Sequence, residues 1–491
     1  MSKQLQVDVA IIGSGTAGLA AWRTASKQGK KVLLIESGPL GTTCARVGCM
    51  PSKLLIAAAD SAHAVRQATG FGVQPGKLTI DGKAVMQRVK SERDRFVSLV
   101  IDSIDSIPAE NKLSGCARFV DTNTLMVDEH TQVTATSIVI ATGSRATYPN
   151  DWQQLGDRLV INDDVFAWDD LPKSVALFGP GVIGLELGQA LHRLGVKVWM
   201  LGRGGKLGPF TDEKVMDYAQ TLFSAEFYLD TDAKVQRMHR VGEQVEIEFT
   251  DPEGVNEAIL VDYVIAATGR RPNVDKLGLE ALDLALDEKG TPVVDAHTMQ
   301  TSMAHIFLAG DASNLLPLLH EANDQGRIAG DNAARFPQVL PGFRHSTLSI
   351  VFTSPQIAMV GESYQALELR SQQGGQHSSE SGTCFAVGEA SFEDQGRSRV
   401  MRRNQGLLRV YGELVTGRFL GAEMIAPEAE HLAHLLAWAH QSEMTVAQML
   451  TMPFYHPVVE EGLRTALRDL NANLKLGSAI EDRCMECGVG D

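Results

Sequence analysis

Two pairs of cysteines in this chain of 491 residues stand close enough to act together, Cys44 with Cys49 and Cys484 with Cys487. Six cysteines in so long a chain do not make a disulfide scaffold. In a reducing compartment a close pair is more often catalytic or metal-binding than structural. On a regular helix a five-residue step leaves two side chains about 140° apart, whereas a disulfide needs Cα atoms within about 7 Å. A bridge between Cys44 and Cys49 therefore requires a distorted or non-helical segment, which tends to make it reducible. Metal binding is the competing chemistry. No histidine or third cysteine lies close in sequence to complete a tetrahedral set, so no metal site is expected. For Cys484 and Cys487, a redox or metal-binding tail competes with a frayed end carrying incidental thiols, the commoner outcome. Cys116 and Cys384 stand alone and are expected to be ordinary buried thiols.

The elements that must position such a pair announce themselves through glycines. Val7 to Ile12 is almost wholly apolar, as a strand buried on both faces should be. Gly13-Ser-Gly15-Thr-Ala-Gly18 follows, then a small, helix-prone run from Leu19 to Ala25 and a second apolar strand, Lys31 to Ile35. Glu36 closes the unit, 18 residues beyond Gly18. The first glycine makes the tight turn, the second lets backbone approach a pyrophosphate, and the third packs helix on sheet. The helix N-terminus supplies amide donors, and Glu36 can accept from ribose hydroxyls. The plan recurs about 165 residues later: strand Ser174 to Phe178, then Gly179, Gly181 and Gly184, a helix, and strand Val196 to Leu201. Here no acid closes the unit. Gly202 stands in its place, with Arg203 next and Lys206 nearby. That removes repulsion of a 2′-phosphate, which Arg203 could pair with, although a solvated surface charge is the bland alternative. The second unit thus takes NAD or NADP, with NADP favoured. Two further apolar strands break at Ala-Thr-Gly, ending at Gly143 and Gly269, roughly where each dinucleotide unit would end.

With Gly41-Thr-Thr-Cys44-Ala-Arg-Val-Gly-Cys49-Met-Pro-Ser-Lys53 added, the sequence resembles the flavoprotein pyridine nucleotide–disulfide oxidoreductases, the group with dihydrolipoyl dehydrogenase, glutathione reductase and mercuric reductase. The likeness runs from about Val7 to Leu470. Ile306 to Asp311 resembles the family's second flavin motif, Ser349 to Pro355 the opening of its dimerisation domain, and His456-Pro457 with Glu461 its acid/base dyad. The resemblance implies an α/β fold with two Rossmann-like dinucleotide-binding domains, for FAD and NAD(P), and an α+β C-terminal dimerisation domain. It implies that Cys44 and Cys49 form a redox-active disulfide, with Cys49 against the flavin and Cys44 meeting the substrate sulfur. His456, oriented by Glu461 and contributed by the second subunit of a homodimer, would be the base. Lys53 and Glu186 match a charge pair beside the flavin. Gly13, Gly15, Gly18, Glu36, Thr43, Lys53, Ala117, Gly143, Asp311 and Leu319 match flavin-contacting positions, and Gly179, Gly181, Gly184, Arg203 and Gly269 match positions facing the nicotinamide nucleotide.

Among family members a dihydrolipoyl dehydrogenase-like enzyme fits most of the sequence, its substrate a small or protein-bound dithiol or disulfide. Three departures weaken that choice: Gly202 with Arg203 and the C-terminal thiols suit an NADPH-dependent disulfide or mercuric-ion reductase, and Thr42 and Ala45-Arg46 replace the glycine and the Leu-Asn or Val-Asn usual around the first cysteine in the family. Arg46 could bind an anionic substrate or merely be exposed. A non-catalytic flavin-binding redox sensor is the reading from another class. The net charge of -15, without any Arg/Lys-rich run, argues against a nucleic-acid partner. No signal peptide is recognisable, and no apolar run approaches the about 20 residues that span a bilayer, so the cytoplasm is the expected address. The expected organisation is a flavin domain at 1–150, a nicotinamide domain at 151–270, a return to the flavin side at 271–342, an interface domain at 343–470 and a tail at 471–491. Gln372 to Gly382 reads as a loop. Ala429 to Trp438 reads as a helix at the core or dimer contact, with His431 and His434 more often satisfied or exposed than ligating.

Overall fold

The computed structural model describes residues 3–373 and 384–476. Most of the stretch 372–382, and both Cys484 and Cys487, lie outside the described residues. The first sheet has seven strands. Lys3–Ile12 pairs in parallel with Val32–Glu36 on one side and Thr131–Ile140 on the other, and Ile306–Leu308 returns late in the sequence to join Thr131–Ile140. Parallel neighbours and covered faces explain the unbroken apolar run, with Val9, Ala10 and Ile11 wholly buried. Helix Thr16–Lys27 follows the glycine turn and packs against helix Leu319–Arg335. The two backbones nearly touch. A Cβ on Gly326 would lie 2.2 Å from the carbonyl oxygen of Ala17, and one on Gly330 would lie 2.4 Å from that of Ala21.

A second sheet repeats the scheme with five parallel strands, in the order Tyr228–Asp230, Lys197–Leu201, Ser174–Phe178, Tyr263–Ala266 and Leu159–Ile161. A three-stranded antiparallel meander, Lys234–Val241 to Asn256–Val261, is inserted before its fourth strand. The third sheet is antiparallel: Leu348–Val351, Gln356–Gly361, Phe419–Ala426, Leu407–Glu413, Phe385–Ser391. Helices Ala429–Gln441 and Glu461–Leu474 pack on it. This is the α/β architecture expected, with two dinucleotide-binding units and an α+β C-terminal unit. Among the described residues no helix is long and apolar enough to cross a membrane.

Helix Ala429–Gln441 buries Leu432, Ala433 and Leu436 but leaves Trp438 68% exposed on its outer face. His431 and His434 lie on exposed turns of it, His434 Nδ1 meeting the Glu430 carbonyl oxygen at 2.6 Å. One expectation fails. Cys384 is buried, 3.1 Å from the Ser371 hydroxyl, but Cys116 is exposed. It occupies the turn between strands Lys112–Ser114 and Ala117–Phe119, which its backbone bonds to Asp128 hold at the surface. Gly326→Ala should push the two packed helices apart and destabilise the protein by about 1–3 kcal/mol, the usual cost of overpacking. A lowered denaturation midpoint with an unchanged m-value is the expected result.

Candidate active site

The segment bearing the two cysteines is folded as its spacing demands. Helix Thr43–Val47 stops at Gly48 (φ −126°, ψ −116°), and a new helix, Cys49–Gln67, starts at the next residue. A Cβ at Gly48 would lie 3.2 Å from the Cα of Cys44, so the missing side chain lets the two cysteines approach. Both are free thiols here, and they hydrogen-bond to each other. The pair titrates unequally. Cys44 is pushed far above the ordinary thiol range by its hydrogen bond to Cys49 and by burial. Cys49 is lowered to about 7 by the hydrogen bond from Cys44 and by the charge of Lys53, against the opposing effect of burial. Cys49 is thus the thiolate of the pair and Cys44 its donor.

Lys53 lies one turn along the same helix. Its Nζ stands 2.7 Å from both carboxylate oxygens of Glu186 and 4.6 Å from the centre of the Phe352 ring. Glu186, 5% exposed, also accepts from the Ser52 hydroxyl at 3.4 Å and from the Phe352 backbone at 3.0 Å. Arg46 is half-buried rather than merely exposed, and its Nε has no hydrogen-bond partner. Thr43 and Leu319, both exposed, and Ala117, buried, take part in no polar contact with the pair.

Two glycine cradles are sterically alike. Gly13 (φ +107°) and Gly179 (φ +101°) each lie against a strand-end carbonyl, where a Cβ would come within 2.3 Å of Ala141 O and 2.4 Å of Ala267 O. Gly18 and Gly184 would bring a Cβ within 1.8 and 2.0 Å of the first glycine's oxygen. At Gly15 and Gly181 a Cβ would meet nothing within 4 Å, so both cradles are open where a ligand's phosphates would lie. Glu36 closes the first, accepting from Ser14 N at 2.6 Å, Ser14 Oγ at 2.8 Å and Gly38 N at 2.7 Å. At Gly202 a Cβ would come 2.5 Å from the Thr231 carbonyl, so no acid fits there. Arg203 and Lys206 are exposed and make no ion pair among the described residues. The two Ala-Thr-Gly breaks meet: Arg270–Pro272 pairs with Ser144–Ala146, and the carbonyl of Gly269 (φ +123°) accepts from Thr147 at 3.0 Å. Asp311 accepts from the Ser144 hydroxyl at 2.7 Å, and Arg270 Nε donates to that hydroxyl at 2.8 Å.

His456 stands apart. Its Nδ1 is 2.9 Å from Glu461 Oε1, whose other oxygen takes the Val458 N–H at 3.1 Å. The imidazole is 68% exposed, and among the described residues no hydrogen bond joins it to Cys44 or Cys49 of the same chain. Within one chain the sulfur pair is therefore assembled without its expected base.

Residues 7–326 match the family described as pyridine nucleotide-disulphide oxidoreductase, and residues 347–467 match that family's dimerisation domain. The chain belongs to this family. Among its relatives, a dihydrolipoyl dehydrogenase of Bacillus subtilis is 28% identical, over 94% of this chain and 97% of its own. A mercuric reductase of Shigella flexneri is 31% identical, over 95% of this chain and 81% of its own. The crystal structure of LpdA from Mycobacterium tuberculosis shares the fold (TM-score 0.78, 23% identity, 94% of this chain and 99% of that one). So does the flavoprotein disulfide reductase RclA from Escherichia coli in its Cu(II) complex (TM-score 0.77, 23% identity, 95% and 99%).

The family uses FAD and NAD(P)H, and the residues present fit both. The open positions at Gly15, Gly143 and Gly181 leave room for bound nucleotide, and Thr142 Oγ1 is buried beside the first cradle without a partner. Ser52, Phe352, Ser144 and Arg270 escaped the sequence reading, because their partners come from distant segments. Only the positions of Ser144 and Arg270, directly after Ala-Thr-Gly, could have drawn attention to them. In the reduced protein, alkylation of Cys49 by iodoacetamide should rise with a midpoint near pH 7. Lys53→Met should move that midpoint up by about one unit, so that alkylation at pH 7 slows. An unmoved midpoint would show that Lys53 does not hold the thiolate.

Proposed function

We propose that the chain passes an electron pair between NAD(P)(H) and a dithiol or disulfide substrate through Cys44 and Cys49, acting as a homodimer, with a lipoyl-type dithiol as the favoured substrate. The observation that carries this reading is the geometry of the pair, Cys44 and Cys49 brought together across the helix break at Gly48, with Lys53 one turn beyond Cys49, where its charge favours the Cys49 thiolate. Bound FAD supplies the two-electron link between nicotinamide and sulfur. In the oxidative direction a substrate thiolate attacks Cys44 Sγ of the Cys44–Cys49 disulfide, the S–S bond breaks, and Cys49 leaves as thiolate. The second substrate thiolate then attacks the mixed disulfide, the product disulfide departs, and Cys44 takes up a proton. His456 of a second subunit, held by Glu461, would receive the protons lost by the substrate and return one to Cys44.

The lipoyl-type substrate is supported by relatives named dihydrolipoyl dehydrogenase, 28–29% identical. A second reading, an NADPH-driven disulfide or mercuric-ion reductase, draws on the closed position at Gly202, the unpaired Arg203 and Lys206, and the mercuric reductase likeness. A lowered, exposed thiol beside a second cysteine suits sensing as well as catalysis, so the non-catalytic sensor is separated by turnover alone.

Steady-state turnover with NAD+ or NADP+ and dihydrolipoamide, and with NADH or NADPH against lipoamide, glutathione disulfide and Hg(II), separates the readings. Dihydrolipoamide oxidation at the highest kcat/KM is expected, and its absence alongside rapid Hg(II) reduction would overturn the first reading. Cys44→Ser and Cys49→Ser should each abolish turnover while FAD stays bound. His456→Gln should lower kcat by about 10²–10⁴, the usual share of a general base. Arg203→Ala should raise KM for the NADP forms about tenfold and leave the NAD forms unchanged, the signature of a lost phosphate pairing. Equal KM changes for both would remove Arg203 from nucleotide selection.

A further inference from the structure

Glu423 lies on Phe419–Ala426, the middle strand of the antiparallel sheet, and its side chain is wholly buried. A carboxylate there must have its acceptor capacity filled. Oε2 accepts from Thr211 N at 2.8 Å and Asp212 N at 2.9 Å, and Oε1 accepts from Tyr364 N at 3.0 Å and from the Thr211 hydroxyl. Only Tyr364 belongs to the C-terminal unit. The other donors end the segment 202–212, which runs on from strand Lys197–Leu201 of the second dinucleotide unit. Asp212, 1% exposed, makes the reciprocal connection. It accepts from Arg409 Nη1 at 2.6 Å and Tyr411 Oη at 3.0 Å on the neighbouring strand, and it caps helix Glu213–Glu226 through Lys214 N at 3.1 Å.

The same segment touches the second glycine cradle. Gly208 N donates to the carbonyl of Pro180, between Gly179 and Gly181, at 2.7 Å. A Cβ on Gly208 (φ +57°) would lie 3.3 Å from Leu185 of the cradle's helix and 3.6 Å from Ile357 of the C-terminal sheet. The start of the segment is held by Gly202 and Gly205, whose N–H groups donate to the carbonyls of Asp230 at 2.6 Å and Thr231 at 3.0 Å on either side of Arg203. Any shift of Thr211 is thus three residues from a bond to the cradle itself.

We propose that Glu423 is a positioning residue for the nicotinamide nucleotide: by clamping Thr211 and Asp212 it fixes the path of residues 202–212 against the Gly179–Gly184 turn, and so sets NAD(P) affinity from the neighbouring domain. This rests on the family's use of the second cradle for NAD(P), and it is independent of which disulfide the protein handles. Glutamine could keep its carbonyl oxygen on Thr211 N and Asp212 N and give up only Tyr364 N, whereas leucine, of similar length, removes every acceptor of the clamp.

The test uses FAD-containing Glu423→Leu protein in the oxidised state, titrated with NADP+ and with NAD+. Two controls accompany it, flavin content and the rate at which dithiothreitol reduces the Cys44–Cys49 pair. Nucleotide dissociation constants about tenfold higher are expected, with both controls within about twofold of wild type. Constants within about twofold of wild type would overturn the proposal. So would a parallel fall in nucleotide affinity, flavin content and dithiol reduction, which is what a merely structural residue would give. Should Glu423→Leu not accumulate with flavin, Glu423→Asp keeps the charge but draws the carboxylate back by one methylene from Thr211 N and Asp212 N. It should weaken nucleotide binding about threefold, and an unchanged constant would equally overturn the proposal. A wild-type protein whose cysteines dithiothreitol cannot reduce would instead count against the disulfide chemistry, leaving the nucleotide constants to judge Glu423.

Discussion

A single buried carboxylate, Glu186, ties together the parts on which the active centre depends. It sits on the helix of the second dinucleotide unit, receives Lys53 and Ser52 from the helix that begins at Cys49, and accepts the backbone N–H of Phe352 at the start of the antiparallel sheet. Removing one partner of such a pair leaves an uncompensated buried charge, at about 3–5 kcal/mol, with the lower end apt because Lys53 is a third exposed. Lys53 stands one turn from Cys49, so fixing its ammonium also fixes the start of the cysteine helix relative to both cradles. The pair acts electrically as well. After the hydrogen bond from Cys44 and the opposing burial, Lys53 favours the Cys49 thiolate and Glu186 weakly opposes it.

The two cradles are built on one steric scheme, a first glycine against a carbonyl and a third glycine against the first. They diverge at the close of the second strand. In the first unit there is room for Glu36, whose oxygens gather Ser14 and Gly38. In the second, the Thr231 backbone has moved into that space, Gly202 N bonds Asp230 O at 2.6 Å, and the next cation points outward. A difference of one residue in sequence thus reflects the approach of a whole neighbouring strand end.

What could be read without coordinates was whatever depends on local sterics. The glycines of both turns were legible because no other residue fits at four of those six places, and the strands between them because two covered faces demand continuous apolar runs. The five-residue cysteine spacing foretold a broken helix, which Gly48 supplies. Long-range pairings were not legible. Nothing near Lys53 in sequence points to Phe352, and Arg270 meets Ser144 across 126 residues. The exposure of Cys116 was missed for a related reason, since a lone cysteine carries no periodicity to say whether its turn faces core or water.

Thr42 has the backbone of a glycine, φ +56° and ψ 149°, immediately before the cysteine helix. A β-branched residue holds that conformation only when its surroundings over-determine it, at about 1–3 kcal/mol of local strain. The hydroxyl offsets part of this by accepting the Ala45 N–H at 3.3 Å, a bond glycine cannot make. Compared with a glycine in the same conformation, Thr42 is locked on both sides, by its Cβ and by its cap. The peptide leading into Cys44 is consequently stiffer than a glycine pair would leave it, so an incoming sulfur must come to a thiol whose backbone has little freedom to lean toward it.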